Sequence, residues 1–403
     1  MTRNPGFAAS SVPPPAFGVG HQMQIYWAGR AQGAPALPVS IDALRERARA
    51  VLPPEAFAYI GGAGNEETMA ANRADFAHWR IVPRMLTDIS VRSLASTIHG
   101  QPAAAPLVVA PIGLHELYCA EGELPAARAA AARKIPFTVS CQSSRTIEEV
   151  AQAMGDATRF FQLYWSRDRE LTRSFIRRAE AAGYSALVVT LDTRLLGWRP
   201  RDLDLGHNPF LHGKGIANYT SDPVFRAALA RPPSEDPMGA IRHFLTVFND
   251  LTITWDDLAW LRQNTKLPIT LKGILHPDDA RRAVASGVEG LIVSNHGGRQ
   301  VDGSVSAIAA LPGIVDAVGG KIEIGLDSGV RSGADAVKAL ALGARYVGLG
   351  RPCVYGLAAA GEAGVGWVLD NFAAELDLTM ALAGCVTPAQ LDRALLRSAI
   401  AAA

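Results

Sequence analysis

From Pro106 onward the pattern of hydrophobic and polar positions switches repeatedly between two periods. Short, continuously apolar runs rich in β-branched residues alternate with Ala-rich stretches whose apolar positions recur at helical spacing. Strands that are apolar on both faces and separated by helical segments are the signature of a parallel sheet with helical crossovers. Eight such runs predict strands at Leu107–Ala110, Ile135–Ser140, Phe160–Tyr164, Ala186–Leu191, Pro268–Lys272, Gly290–Ser294, Ile322–Leu326 and Tyr346–Gly350. The intervening spacing predicts helices at Glu121–Arg133, Thr146–Met154, Asp168–Ala182, Pro277–Ser286 and Gly333–Leu342. Pro277 followed by Asp278 and Asp279 suits a first helical turn, where proline lacks no needed donor and acids meet the positive end of the dipole. The fold class expected from eight strand–helix units is α/β, a closed (β/α)8 TIM barrel.

The flanks of this pattern carry less periodicity. A helical segment at Ile41–Val51 precedes the barrel, and residues 1–40 form an N-terminal arm whose Pro, Gly, Ala and Ser content predicts a loose chain over Met1–Gly20. The remainder, 41–403, reads as one barrel domain. Between the fourth and fifth strands the spacing jumps, and 201–250, rich in Pro, Gly, Asp and His, predicts a lid-like insertion or a partly disordered loop.

Charge narrows the partners. Lys and Arg number 39 and Asp and Glu 38 in 403 residues, with no long run of either sign. This balance excludes a nucleic-acid or anionic-membrane partner and leaves a small molecule. Cys119, Cys141, Cys353 and Cys385 stand far apart with no CxxC pair, as expected of reduced thiols in the cytoplasm. No stretch has the composition of an export signal or a membrane span. The cluster Gly61-Gly62-Ala63-Gly64 lacks dinucleotide-binding spacing, His115-Glu116 lacks the second histidine of a zinc motif, and no metal is expected.

In a barrel of this kind the chemistry gathers where the strands end. The predicted ends carry Pro111-Ile112-Gly113, Ser140, Gln162-Leu163-Tyr164, Thr190-Leu191-Asp192, Lys272-Gly273, Ser294-Asn295-His296-Gly297-Gly298-Arg299, Asp327-Ser328-Gly329-Val330-Arg331 and Gly350-Arg351. Polar groups after apolar strands are costly unless they meet a ligand or one another. The last two ends, Asp327 to Arg331 and Gly350-Arg351, combine glycine backbone with guanidinium groups and predict a phosphate site. His296 and Arg299 share one glycine-flexible loop, which suits proton abstraction beside an anchored anion. Asp192 is placed to pair with His296 and to favour its protonated form. Arg199 or Arg201 could join Arg299 in clamping a carboxylate, and spacing alone does not choose between them. Lys272 could offset negative charge on a cofactor ring.

With these residues the chain resembles the FMN-dependent α-hydroxy-acid oxidases and dehydrogenases, a family that includes glycolate oxidase, lactate oxidase and lactate 2-monooxygenase. The resemblance runs from about Ile41 to Ala383, and its most specific parts are Ser294-Asn-His-Gly-Gly-Arg-Gln300, Asp327-Ser-Gly-Val-Arg-Ser-Gly333 and Gly350-Arg-Pro352. It implies FMN as cofactor, His296 as catalytic base with Asp192 as its partner, Arg199 and Arg299 as the carboxylate clamp, and Tyr164 as a hydrogen-bond donor to substrate. It further implies that Ser140, Gln162 and Thr190 meet the polar edge of the flavin. Lys272 would lie near the N1–O2 side, Ile112 and Gly113 near N5, with Ser294, Asp327 and Ser328 in the same framework. The phosphate would rest on Gly329, Arg331, Gly350 and Arg351.

Finer features, Gly197-Trp-Arg-Pro-Arg-Asp202, Asn218-Tyr-Thr-Ser-Asp-Pro-Val-Phe225 and Lys272-Gly-Ile-Leu-His-Pro-Asp-Asp279, look most like lactate 2-monooxygenase, and Gly113 agrees with that branch. The resemblance then implies oxidation of a small L-2-hydroxy acid with O2, the retained 2-keto acid being decarboxylated, so that L-lactate yields acetate. It also implies a homotetramer or homo-octamer. Two positions depart from the family. Ala58 stands where a substrate-contacting tyrosine is usual, with Tyr59 one place later, a shift of about 100° on a helix. Gln142 stands where relatives carry Trp or an aliphatic residue, which points to a different or larger substrate as the alternative. Other flavin or sugar-phosphate barrels, and an FMN-binding barrel with a disabled pocket, are the competing readings.

Overall fold

The computed structural model describes residues 17–399. Eight parallel strands close into a barrel in chain order: β1 (Leu107–Val109), β2 (Phe137–Ser140), β3 (Arg159–Leu163), β4 (Leu187–Thr190), β5 (Ile269–Ile274), β6 (Gly290–Val293), β7 (Glu323–Leu326) and β8 (Tyr346–Leu349), with β8 pairing back onto β1. Every boundary falls within two residues of the sequence expectation. The reason is burial: β1, β2, β4 and β6 are buried at every position, so their apolar runs end where the strands end. The register sets polar side chains level at the C-terminal rim, Ser140 opposite Gln162 and Thr190 opposite Lys272.

Short polar side chains start the surrounding helices. Thr146 makes a capping box with Glu149, and Asp168, Ser306 and Ser332 each cap the helix that follows. The opposite end of the barrel is closed by a hairpin of Ser96–Ile98 and Gln101–Ala103. His99 at its turn is buried against Phe160 and Tyr346, with its Nε2 3.2 Å from Thr270 Oγ1.

Two expectations for the flanks are corrected. Within the arm, Phe17–Gln32 is a helix lying along the final helix, Arg351–Leu382. Gly18 is buried there, its N–H donating to Asp377 Oδ2 (3.0 Å), and His21 Nε2 is 2.8 Å from Asn371 Oδ1. The loose chain expected over Met1–Gly20 therefore gives way to helix from Phe17; residues 1–16 lie outside the described residues. The insertion at 201–250 is likewise folded. It forms helices at Pro200–Asp204, Ala217–Thr220, Pro223–Ala227 and Pro237–Val247 around buried Phe210, Tyr219, Phe225 and Phe244, the Tyr219 and Phe244 rings meeting at 4.8 Å. Buried Asp222 caps one of these helices and also accepts from Ser174 Oγ and Arg178. The prolines that read as breakers sit at first-turn positions, where they start helices.

Candidate active site

After β6 the chain turns sharply, placing His296 in the left-handed region at φ 57°. A non-glycine residue held there costs of order 1 kcal/mol or more and persists when its surroundings fix it. Here the backbone N–H of His296 donates to Ser294 Oγ (3.1 Å), while Nδ1 stands 2.9 Å from Asp192 Oδ1 and 3.1 Å from Thr193 Oγ1. Both Asp192 and Thr193 follow β4, across the mouth from β6. Asp192 can lean over β5 because residue 273 is glycine: at φ 106°, an added methyl would lie 2.8 Å from the Asp192 Cβ. With Nδ1 so engaged, Nε2 is the ring nitrogen that makes no hydrogen bond to a described residue, and the ring lines the central cavity.

His296 and Asp192 pair as the sequence suggested, and Asp192 favours the protonated ring, but burial acts against it. Burial pushes the imidazole pKa down, Asp192 pulls it up, and burial prevails. Burial would raise Asp192, yet His296 and Lys272 outweigh it and hold the carboxyl below its usual range.

Arg199 and Arg299 converge on Tyr59. Their guanidinium carbons lie 5.9 Å and 5.0 Å from its ring centroid. Arg299 Nη1 donates to the carbonyls of Tyr59 and Gly62. Arg199 Nε donates to the Arg299 carbonyl (3.3 Å) and its Nη2 to Gln300 Oε1 (3.1 Å). Burial and the neighbouring Arg299 bring the Arg199 pKa down to about 10. Neither guanidinium makes a salt bridge to a carboxylate among the described residues, the Asp202 carboxylate acting on both only at longer range, so the pair presents positive charge to the cavity. The structure also separates Arg199 from Arg201, which points away and pairs with Glu66 (2.5 Å). Tyr59 sits on the helix Pro54–Gly61 and lines the cavity in spite of its one-residue offset. Tyr164, beyond β3, lines the same cavity with its ring edge-on to Phe248.

At the barrel rim the polar residues form a connected but incomplete set. Ser140 Oγ donates to Gln162 Oε1 (2.9 Å), leaving Gln162 Nε2 and Thr190 Oγ1 buried without partners. Lys272 Nζ donates to Ser294 Oγ (2.8 Å) and lies 3.2 Å from Asp327 Oδ2; burial lowers its pKa, but Asp327 and Asp192 raise it further. Ser294 and Ser328 both donate to Asp327 Oδ1 (2.5 and 2.8 Å), and Ser328 accepts the Gly297 N–H. Orphaned donors at this depth cost about 1–3 kcal/mol each unless a ligand meets them, and the polar edge of a flavin offers the acceptors they lack.

Ser328, Gly329, Arg331, Gly350 and Arg351 also line the cavity, whose empty volume, counted to its open mouth, is about 1060 Å3, with Ile112 and Gly113 between them and Gln142. Gly350 caps the final helical segment, which is kinked at Ala360-Gly361, so the positive end of a helix stands at this part of the cavity. The two arginines here are turned to protein carbonyls: Arg351 to those of Ile60 and Gly297 (2.8 and 3.0 Å), Arg331 to that of Val330 (2.8 Å). Burial brings the Arg351 pKa down to about 9.

Several contributors escaped the sequence reading. Thr193 touches both members of the dyad, and its position directly after Asp192 at a strand end was the available signal. Gln300 ties Arg199 to the Asp192 and Leu195 carbonyls. Phe210 and Phe248, from the insertion, wall the cavity with no local motif to mark them.

Comparison with known proteins bears on what this cavity is. A family profile described as FMN-dependent dehydrogenase matches residues 48–398. An FMN-dependent alpha-hydroxy acid dehydrogenase of Penicillium citrinum is 44% identical, covering 96% of this chain and 97% of that protein. An L-lactate oxidase of Lysinibacillus sphaericus is 44% identical over 86% of this chain and 89% of its own length. Among solved structures, mandelate oxidase superposes with a TM-score of 0.80 at 39% identity, over 89% of this chain and 98% of that one. With a family profile over residues 48–398 and a relative 44% identical over 96% of this chain, the chain belongs to the FMN-dependent dehydrogenase family, the group of α-hydroxy-acid oxidases and dehydrogenases, and FMN is its cofactor.

Proposed function

We propose that this enzyme oxidises a small L-2-hydroxy acid at C2 and uses O2 as the electron acceptor. The observation that carries this reading is the placement of two buried guanidinium groups, neither in a salt bridge among the described residues, and the His296–Asp192 dyad on one cavity. Arg199 and Arg299 hold the substrate carboxylate, each charge-assisted contact being stronger where water is excluded. Tyr59 and Tyr164 donate phenolic hydroxyls to the oxygens of the substrate, and Gln142 borders its side chain. Nε2 of His296 takes a proton from the substrate, and Asp192 stabilises the imidazolium that results. Ser140, Gln162, Thr190 and Lys272 would hold the polar edge of FMN and Gly329, Arg331, Gly350 and Arg351 its phosphate, and the flavin, when bound, would supply the two-electron acceptor that O2 can reoxidise. Lys272, paired with Asp327 through a framework that includes Ser294 and Ser328, stays charged and offsets the negative charge that arrives.

The overall course proposed is that of lactate 2-monooxygenase: hydroxy acid and O2 give a carboxylic acid one carbon shorter, CO2 and water. Gly113 supports it. A methyl there would lie 2.5 Å from the Gln142 carbonyl oxygen, so Ile112-Gly113 and Gln142 pack as closely as bare backbone permits. The four unpaired cysteines support a reducing cytoplasm as the working compartment; among the described residues no helix is long and apolar enough to cross a membrane. A homotetramer or homo-octamer is proposed from the family resemblance. The test is aerobic turnover of L-lactate by the FMN-loaded enzyme with product analysis. Acetate and CO2 are expected. Pyruvate with stoichiometric peroxide would replace the decarboxylating course by a simple oxidase, and turnover with an added acceptor but not with O2 would make it a dehydrogenase.

A further inference from the structure

Resting on the reading of the cavity as a 2-hydroxy-acid site, we propose that the preferred substrate carries a neutral hydrogen-bonding group on its side chain, a hydroxyl, carbonyl or carboxamide, that pairs with the carboxamide of Gln142. The backbone of this residue is fixed at the end of β2. Its N–H donates to Ser140 Oγ (3.2 Å) and its carbonyl accepts from the Leu114 N–H (3.1 Å). The side chain lines the cavity, the residue is 6% exposed, and Nε2 is shielded from solvent with no partner.

A carboxamide offers two donors and two acceptor lone pairs. Leaving it unpaired beside apolar walls costs about 1–3 kcal/mol, a cost that an aliphatic side chain of similar size would avoid. Gln142 packs beside Gly113 and Leu114, in a cavity that Ile112, Leu196, Phe210 and Phe248 also line. The charged groups on its flank are committed: Lys214 pairs with Glu116 (3.0 Å), and Glu116 also accepts the Gly215 N–H. With Arg199 and Arg299 taken by the first carboxylate and no other free cation beside Gln142 among the described residues, a second carboxylate on the substrate would go unpaired, whereas a neutral group meets the amide without a charge to bury. A site that hydrogen-bonds a substrate group discriminates strongly against the analogue that lacks it, because its own polar atoms are then stranded.

The experiment compares isosteric pairs: the L-2-hydroxy analogues of serine, asparagine and glutamine, each against the apolar acid of the same shape. Rates of anaerobic flavin reduction at low substrate are measured for the FMN-loaded wild type and for Gln142→Leu. The wild type is expected to favour the polar member of at least one pair by about tenfold or more, and Gln142→Leu to reverse that order while keeping its flavin. The inference is overturned if the apolar member is faster in all three pairs, or if the preferred order is the same in Gln142→Leu. The wild-type comparison alone decides if the variant does not fold. Flavin reduction by L-lactate is run alongside: its success with an apolar preference overthrows this inference only, and failure of every acid overthrows the underlying reading as well.

Discussion

At Asp192 a single carboxylate does two things, orienting His296 through Nδ1 and opposing the burial that lowers its pKa. The sign of the second effect gives a prediction. Proton abstraction needs the neutral imidazole, so kcat/KM falls as pH drops through the lowered pKa of His296. Removing the charge in Asp192→Asn removes the term that raises that pKa. The acidic limb of the profile should then move to lower pH, while the plateau drops by about 10²-fold or more because the ring loses its orientation. A limb that moves to higher pH would contradict the assignment. Arg199 yields a second test: Arg199→Lys loses the fork that spans the Arg299 carbonyl and Gln300, and KM for a 2-hydroxy acid should rise about 100-fold with flavin content unchanged. At this scale most of the residues that line the cavity were legible, because they follow the ends of apolar strands; Tyr59, on the helix Pro54–Gly61, is an exception. The burial that opposes Asp192 at His296 was not legible, since a sequence displays the partner of a histidine but not how deeply both are buried.

At the scale of elements, the strand ends work because of what does not stand beside them. Gly273→Ala is expected to push Asp192 off His296 through the 2.8 Å clash, reducing kcat about as strongly as Asp192→Asn while leaving the barrel folded; a crystal structure and steady-state rates would check both. The insertion tests a different idea. Phe244 is fully buried among Phe210, Tyr219 and Phe248, and two of those rings belong to the insertion's own wall of the cavity. Phe244→Ala should cost about 3–5 kcal/mol of packing and raise KM, because Phe210 and Phe248 lose their support; denaturant melts and kinetics report the two separately. The barrel strands were readable to within two residues because a run buried on both faces ends abruptly. The insertion was not, because its helices span only four to eleven residues and its order comes from long-range aromatic contacts that no local window contains.

For the molecule as a whole, the buried His99 links stability to pH. Burial brings its pKa down to about 4 from the ordinary 6.5. The unfolded chain therefore takes up a proton below pH 6.5 that the folded barrel refuses until about 4, and stability falls as pH drops through that window, by up to about 3 kcal/mol from this residue. Glu323, 3.5 Å from its Nδ1 and itself raised by burial, contributes with the opposite sign. In His99→Gln the loss of stability between pH 6.5 and 4 should be shallower by that amount, measurable from urea midpoints at the two ends of the range. The arm shows the limit of sequence reading at this scale: Phe17–Gln32 exposes Tyr26 and Trp27 and buries little besides Gly18, so its helix is set by the final helix it lies on and not by its own pattern.

The account stands or falls on whether this cavity removes electrons from a 2-hydroxy acid through His296. The most direct measurement is the visible absorbance of the FMN-loaded protein, mixed anaerobically with L-2-hydroxy acids, for the wild type and for His296→Asn. Rapid bleaching of the wild type by an L-acid but not its D-enantiomer, slowed by about 10²-fold or more in the variant, is the predicted result. A flavin that no 2-hydroxy acid bleaches, or one reduced equally fast without His296, would contradict it.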